Sequence, residues 1–267
     1  MRRAAAASLC LLAVVAGPWG CAPGRLQLPT GSGAPFPDFS QAFQEATASC
    51  RGVRTLSAEL GISGRAGGQK LRGRVAAGIA APAGIRLEGA APFGPPVFIL
   101  AADDARATLL LPRDNRVLTG ERPAAILESL VGLDLSPADL LAILTGCVEA
   151  DPRLTGGSLY ADGWAKVDLS DGAAAFLRRD AAGRWRVRAA TRPPLRIEYE
   201  GDASPPGAVR ISADTGGAAA TDLRIALSQP DFNVSLGPEV FVVKVPPDAH
   251  PISLSELRQV GPMGEKR

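Results

Sequence analysis

The chain has 267 residues, 46% of them hydrophobic and 21% charged, with 29 basic and 27 acidic side chains and a formal net charge of +2. That composition fits a globular protein, and the lack of a basic block argues against a nucleic-acid partner. The single histidine cannot build a multi-histidine metal site.

The first 21 residues, "MRRAAAASLCLLAVVAGPWGC", begin with two arginines and continue in an apolar run from Ala4 to Ala16. The run is too short for a permanent membrane span, and the layout is that of a secretory signal. Gly20 directly before Cys21 suggests a bacterial lipoprotein signal, in which Cys21 becomes the acylated first residue. The alternative is ordinary cleavage near Ala16, leaving a soluble periplasmic protein. Removing residues 1–20 takes Arg2 and Arg3 from the 29 basic residues, so 27 of each sign remain and the net charge is zero. Residues 21–37, rich in Pro, Gly and small polar residues, read as a flexible tether. Residues 38–267 then form a single domain, and no second apolar stretch in them reaches membrane-spanning length.

The domain opens with a helix, "PDFSQAFQEATASC", whose stripe is Phe39, Phe43, Ala46 and Cys50. Strands follow. "KLRGRVAAGI" alternates Leu71, Val75, Ala77 and Ile79 with Lys70, Arg72 and Arg74, and "GIRLEG" sets Ile85 and Leu87 against Arg86 and Glu88. Such period-two alternation marks antiparallel strands with one wet face. "GAAPFGPPVF" then places Phe93 among prolines and glycines that mark a surface turn. The ring either meets another apolar surface or folds back onto the sheet. The adjacent Asp103 and Asp104 fit a turn between strands, and "PRDN" at 112–115 is another turn.

Two helices interrupt the strands. "RPAAILESLVG" carries Pro123 in its first turn and Gly132 as a C-terminal cap. "SPADLLAILTG" has Ser136 as N-cap, Pro137 next, Asp139 in the first turn and Gly146 at the close. Their apolar residues (Ile126, Leu127, Leu130 and Val131, then Leu140, Leu141, Ile143 and Leu144) cover more than one face. Such helices either pack on the sheet and each other or line a pocket for something apolar. "GRWRVRAA", "LRIEYE" and "DLRIALS" return to alternation, separated by turns at 180–183 and 204–207. Acids interleave with their arginines, which fits a solvated sheet face.

His250 sits in a proline-flanked loop near the end, with no serine elbow or cysteine motif to accompany it, so catalysis is not expected. No metal site and no cofactor is expected either. Cys50 and Cys147, the two cysteines left after processing, form a disulfide or remain as buried thiols.

The order of these elements resembles the LolB outer-membrane lipoprotein receptors and the wider LolA/LolB-like fold. "RLEGAAPFG" corresponds to that family's strand and Pro-apolar-Gly turn, and "FILAADDARATLLL" and "NRVLTG" to the strands that follow. "ILESLVGLDLSPADLLAILTG" is similar to its helical lid, with Gly132, Leu140 and Gly146 at the expected places, and "AAGRWRVRAA" to a later hairpin. The resemblance spans residues 38–200, and the C-terminal part from "FVVKVPPDAHPISLSELRQVGP" is longer than in the receptor.

The resemblance implies a mainly β fold: a strongly curved antiparallel half-barrel with an N-terminal helix and a mid-chain helical lid. It implies a protein held by its N-terminal lipid on the periplasmic face of the outer membrane. Such a protein accepts acyl chains of lipoproteins or lipids in an apolar cavity, takes cargo from a periplasmic LolA-like carrier, and helps insert it into the membrane. Phe93 would be the membrane-touching residue of the transfer loop. Leu87, Leu109, Leu111, Ile126, Leu130, Leu140 and Leu144 would line the cavity. The competing expectation is a non-catalytic anchored scaffold that binds another envelope protein through its charged sheet faces and the segment "SLSELRQVGP".

Overall fold

A computed structural model of the chain describes residues 24–103, 106–213 and 220–260. After β1 (Ala34–Pro35) come α1 (Phe39–Ala46) and the single turn α2 (Ala48–Arg51). A first meander follows: β2 (Thr55–Ala66), β3 (Gln69–Ala80), β4 (Gly84–Gly89), β5 (Ile99–Ala102), β6 (Ala107–Leu111) and β7 (Arg116–Glu121). Helices α3 (Pro123–Val131) and α4 (Pro137–Thr145) lead to a second: β8 (Leu154–Leu159), β9 (Ala165–Leu169), β10 (Ala174–Arg179), β11 (Trp185–Arg192), β12 (Leu195–Glu200), β13 (Ala208–Ala213) and β14 (Thr221–Phe232). The described chain closes with β15 (His250–Pro251) and α5 (Leu254–Val260).

All fifteen described strands join one sheet in the order β1-β8-β9-β10-β11-β12-β13-β14-β2-β3-β4-β5-β6-β7-β15. The long antiparallel pairing of β14 with β2, Leu223 opposite Gly64 and Leu227 opposite Leu60, welds the two meanders together. The sheet is curved but not closed. Each of its edges is a strand of two residues, too short to recruit another chain edge-on.

Alternation decides which way each strand faces. On β3, Leu71, Val75, Ala77 and Ile79 are buried while Lys70, Arg72 and Arg74 are exposed. Ile85 and Leu87 on β4, Val187 on β11, Ile197 on β12 and Leu223 and Ile225 on β14 point into the same concave core. The convex face carries ion pairs: Arg86 Nε to Glu88 at 2.6 Å, Arg196 Nε to Glu198 at 2.7 Å, Arg210 to Asp222 at 2.7 Å and Arg224 to Glu200 at 2.7 Å. This is a solvated face with interleaved charges.

The helices fill the concave side. α1 lies against β8, β9 and β11, with Phe43 and Ala46 buried. The sequence reads as one helix through Cys50, but the structure breaks it at Thr47, whose hydroxyl donates to the Phe43 carbonyl at 2.7 Å. A hydroxyl bonded back into its own helix competes with the backbone ladder and favours such a bend. α4 is capped as its sequence indicates: the Ser136 hydroxyl accepts from the Asp139 N–H at 3.1 Å. Gly132 and Gly146 take the left-handed conformations (φ 70° and 97°) that end α3 and α4. Cys50 and Cys147 are bonded, so a disulfide spanning 97 residues joins α2 to the end of α4.

Two segments wrap the sheet from outside. Residues 24–31, tether-like in composition, lie on the convex face, and after β1 the ring of Phe36 turns into the concave core. Arg25 pairs with Asp222 at 3.1 Å, the Leu26 N–H donates to Glu198 at 3.2 Å, and the Tyr160 hydroxyl donates to the Gly31 carbonyl at 3.2 Å. Leu26 and Leu28 pack onto a small outer cluster of Trp164, Ala174, Phe176 and Ala189. Alternation in "RLQL" is the physical cause: two leucines two residues apart reach the sheet while Arg25 and Gln27 stay in water.

The C-terminal segment crosses the other half. Arg86 donates to the carbonyls of Val240 and Val242 at 2.9 and 3.1 Å. The chain then pairs in parallel with β7 and folds α5 onto α3, burying Leu257 completely.

Candidate functional site

Antiparallel alternation puts the β2–β3 turn, the β4–β5 loop and the β6–β7 turn at one end of the half-barrel. The far end is packed solid by Leu56, Ile79, Ile85 and Ile143, each with no measurable exposure. Toward the first end the packing opens. α3, α4 and their connection span the curve like a roof and leave a hollow beneath them.

The floor of the hollow is formed by Leu60, Ile62, Val75, Leu87 and Ile225 on β2, β3, β4 and β14, with Phe98 just before β5. Its roof is Leu127, Leu130, Leu133, Leu135 and Leu140. No polar atom lines it, and about 60 Å³ is open to a water-sized sphere, within a depression of about 590 Å³ that includes its mouth. Each water needs roughly 10–15 Å³ on the first measure and two to four polar partners, so the hollow has room for water but offers none a bond. Ile62 and Leu130 are only half-buried and mark where it opens. The space is narrower than pockets that enclose whole small ligands, roughly 300–1,000 Å³. A fatty chain therefore requires the roof to rise.

Of the residues expected to line a cavity, Leu87, Leu130 and Leu140 border the hollow. Leu109, Leu111, Ile126 and Leu144 lie in the contiguous core instead, fully packed. Phe98, Ile62 and Val75 are among the further wall residues that the sequence reading did not place at a cavity. The signal for them was present: Val75 and Ile62 occupy the inward register of the strands that carry Leu87's neighbours. Phe98 hides behind Pro95 and Pro96, which disguise its inward direction. Its ring lies against Gly89, where a Cβ would come within 2.5 Å of it.

Phe93 stands at the same end, 90% exposed, on the loop between β4 and β5. The ring does not fold back. Arg113 in the β6–β7 turn donates to the Phe93 carbonyl at 3.1 Å and steadies the loop. Cys21 and Asp104 lie outside the described residues.

Charged groups keep to the rim. Across the opening from Phe93, Asp139 pairs with Arg192 at 3.1 Å. Burial pushes the neighbouring Glu149 carboxyl above its ordinary range, opposed by Arg192 and assisted by Asp139, Asp171 and Asp151. On the convex face, the hydrogen bond from Arg210, reinforced by Arg25, holds the Asp222 carboxyl below the usual value. Tyr199 is buried, which raises its phenol, and its hydroxyl donates to the Cys147 carbonyl at 2.7 Å. His250 is exposed on the edge strand, its N–H bonded to the Asn115 carbonyl at 2.8 Å. Among the described residues no group of three or more His, Cys, Asp or Glu is placed to hold a metal ion, and no helix is long and apolar enough to cross a membrane.

An N-terminal helix inside a curved, open and almost wholly antiparallel sheet, with two helices inserted between its meanders, is the half-barrel with a helical lid that the sequence resemblance implies. Compared with family models and with curated proteins, the chain finds no match. Among solved structures it is similar to a DUF1329 family protein from Desulfovibrio piger, at 12% identity over 76% of this chain and 97% of that one, with a TM-score of 0.47. It is likewise similar to a LolA superfamily protein from Nitrosomonas europaea (11% identity, 76% and 98% covered, TM-score 0.47). A third is a putative outer membrane lipoprotein-sorting protein domain from Vibrio parahaemolyticus (10% identity, 76% and 97% covered, TM-score 0.43). At these identities and scores the likeness is one of general architecture, and the chemistry of the site rests on this chain's own residues.

Proposed function

We propose that this protein is a non-catalytic envelope carrier. It receives fatty acyl chains in the hollow under α3 and α4 and, held to the outer membrane by acylated Cys21, helps pass lipoproteins or lipids into that membrane. The observation that carries the reading is the hollow itself, a space walled only by carbon in an otherwise dense core. Burying methylenes there contributes about 0.8 kcal/mol each, while opening the roof costs part of that gain, so binding stays loose enough for release. Phe93, exposed at the same end, supplies a ring worth about 2 kcal/mol when it enters acyl chains. A single ring cannot hold a protein on a membrane, but it suffices as a contact beside a lipid anchor.

The experiment is uptake of a fluorescent fatty acid by the purified chain, in competition with unlabelled acyl chains. Saturable, competed binding is expected; absence of binding overturns the reading. Phe93→Glu should keep fold and uptake and impair delivery of bound lipid to vesicles. The scaffold alternative drew on the charged sheet faces and on "SLSELRQVGP", and in the described part of that segment Leu257 is buried in the contact of α5 with α3.

A further inference from the structure

The exposed cations of the convex face are not evenly neutralised. β3 overshoots its neighbour: Val75 pairs with Gly89, the last residue of β4, so residues 69–74 project beyond that strand, paired with β2 and held on the other side by one bond from the Ala90 N–H to the Arg74 carbonyl at 2.8 Å. Six residues of strand reach roughly 20 Å. Lys70, Arg72 and Arg74 share the outer face of this hairpin, with Arg65 directly opposite Lys70. Among the described residues no carboxylate lies within ion-pair distance of Lys70, Arg72 or the neighbouring Arg113, and Arg74 meets Glu59 only at 3.8 Å. Arg86, Arg196, Arg210 and Arg224, farther along the same face, are each paired. In the described turns and loops around the lip the acids are Asp114, Asp134 and Asp248, whose carboxylate accepts from the Asn115 side chain at 3.0 Å. The rim's other acids, Asp139, Glu149, Asp151 and Asp171, gather across the opening. The mouth of the hollow thus has a basic lip, and Phe93 stands on it.

The N-terminal segment points to the same place independently. Its first side-chain anchor is Arg25 on Asp222, and the cross-strand partner of Asp222 is Arg65 of the hairpin. Cys21 lies four residues before Arg25, at most about 14 Å of chain. A lipid carried by Cys21 would have that reach from the anchor at Asp222.

We propose that this lip, formed by Arg65, Lys70, Arg72, Arg74 and Arg113 around Phe93, docks on an anionic phospholipid surface and turns the mouth of the hollow toward the bilayer. The proposal rests on the carrier reading for its purpose and on acylation of Cys21 for its geometry. Its physical basis is charge complementarity: each cation at such a surface strengthens association about fivefold, and docking weakens with added salt.

The test uses the acylated chain with Phe93→Trp in vesicles that contain brominated lipids, which quench a tryptophan inside the bilayer. Trp164 and Trp185 are buried in the protein and give a constant background. Quenching is expected in vesicles of phosphatidylethanolamine with phosphatidylglycerol, and several-fold less in phosphatidylcholine alone. Lys70→Glu/Arg72→Glu/Arg74→Glu should reduce it to the phosphatidylcholine level, the three Gln substitutions should fall between, and Arg51→Glu/Arg54→Glu at the far end should leave it unchanged. Equal quenching in both vesicles, or quenching that survives the triple reversal, overturns the proposal. So does its absence from every vesicle, which assigns the lip to an acidic protein partner instead. Fatty-acid uptake measured on the same variants reports on the hollow separately, so either idea can fail without the other.

Discussion

The two sides of the concave face handle the same problem differently. Over β8, β9 and β11, α1 is seated with no slack: Phe43 is buried, Phe36 packs at 5.9 Å from Trp185, and a Cβ on Gly157 would sit 2.3 Å from that of Phe39. Over β2, β3 and β4, helices of greater apolar content leave an unfilled space. Close packing is the norm in protein interiors, and empty apolar volume costs stability. A leucine-walled gap beside a tightly filled neighbour therefore separates the part that holds the fold from the part that is free to open.

Substitutions can break or sharpen that contrast. Phe43→Ala should cost about 3–5 kcal/mol in urea unfolding, as a fully buried ring lost from a site that cannot collapse. Next come the matched glycines. Gly157→Ala drives a methyl into α1 and belongs at the top of the roughly 1–3 kcal/mol range for overpacking. Gly89→Ala pushes on the Phe98 ring, which can move into the hollow, so the loss in unfolding free energy should be the smaller of the two. Equal losses would mean the hollow gives no room. Leu130→Phe fills the gap and should change stability by less than about 1 kcal/mol. It should weaken fatty-acid uptake on the order of tenfold, about 1.4 kcal/mol.

The smallest effect concerns pH. Asp222 has a depressed folded pKa, so its contribution is present above the ordinary carboxylate value, about 3.9, and is lost as the pH falls through the folded value. Acidification below that point should loosen the Arg25–Leu28 attachment while the core persists. The nuclear magnetic resonance signals of Leu26 and Leu28 should shift, and Asp222→Asn should produce the same change at neutral pH.

Much of this molecule could be read from its residues. Period-two alternation placed strands such as β3 and β4 and named their inner faces because their other side is wet, whereas β10, with Ala174 and Phe176 buried outside and Ala175 and Leu177 inside, carries no such pattern. The caps of α3 and α4 were legible because Ser136, Gly132 and Gly146 act locally. What escaped was set by distant contacts. Leu26 and Leu28 dock because Trp164 and Phe176, far along the chain, leave an apolar patch on the outside of the sheet. The bend at Thr47 needed a hydroxyl's choice between water and the Phe43 carbonyl. Ile126 and Leu130 share one face of α3 a turn apart, as Leu140 and Leu144 do on α4, so which of each pair meets the hollow and which is sealed depends on where along the helix the hollow ends, and the sequence does not encode that.

The contact between α5 and α3 sets an order of events. β7 acquires its outer neighbour from His250–Pro251, and α3, held already by β5 and by the Thr221 hydroxyl on the Val131 carbonyl, gains its outer brace from Leu257. Both contacts link segments far apart in sequence, and loop-closure entropy delays such contacts relative to the local meanders. The segment that follows β14 acts as a bolt, and a chain lacking α5 would hold its roof less firmly.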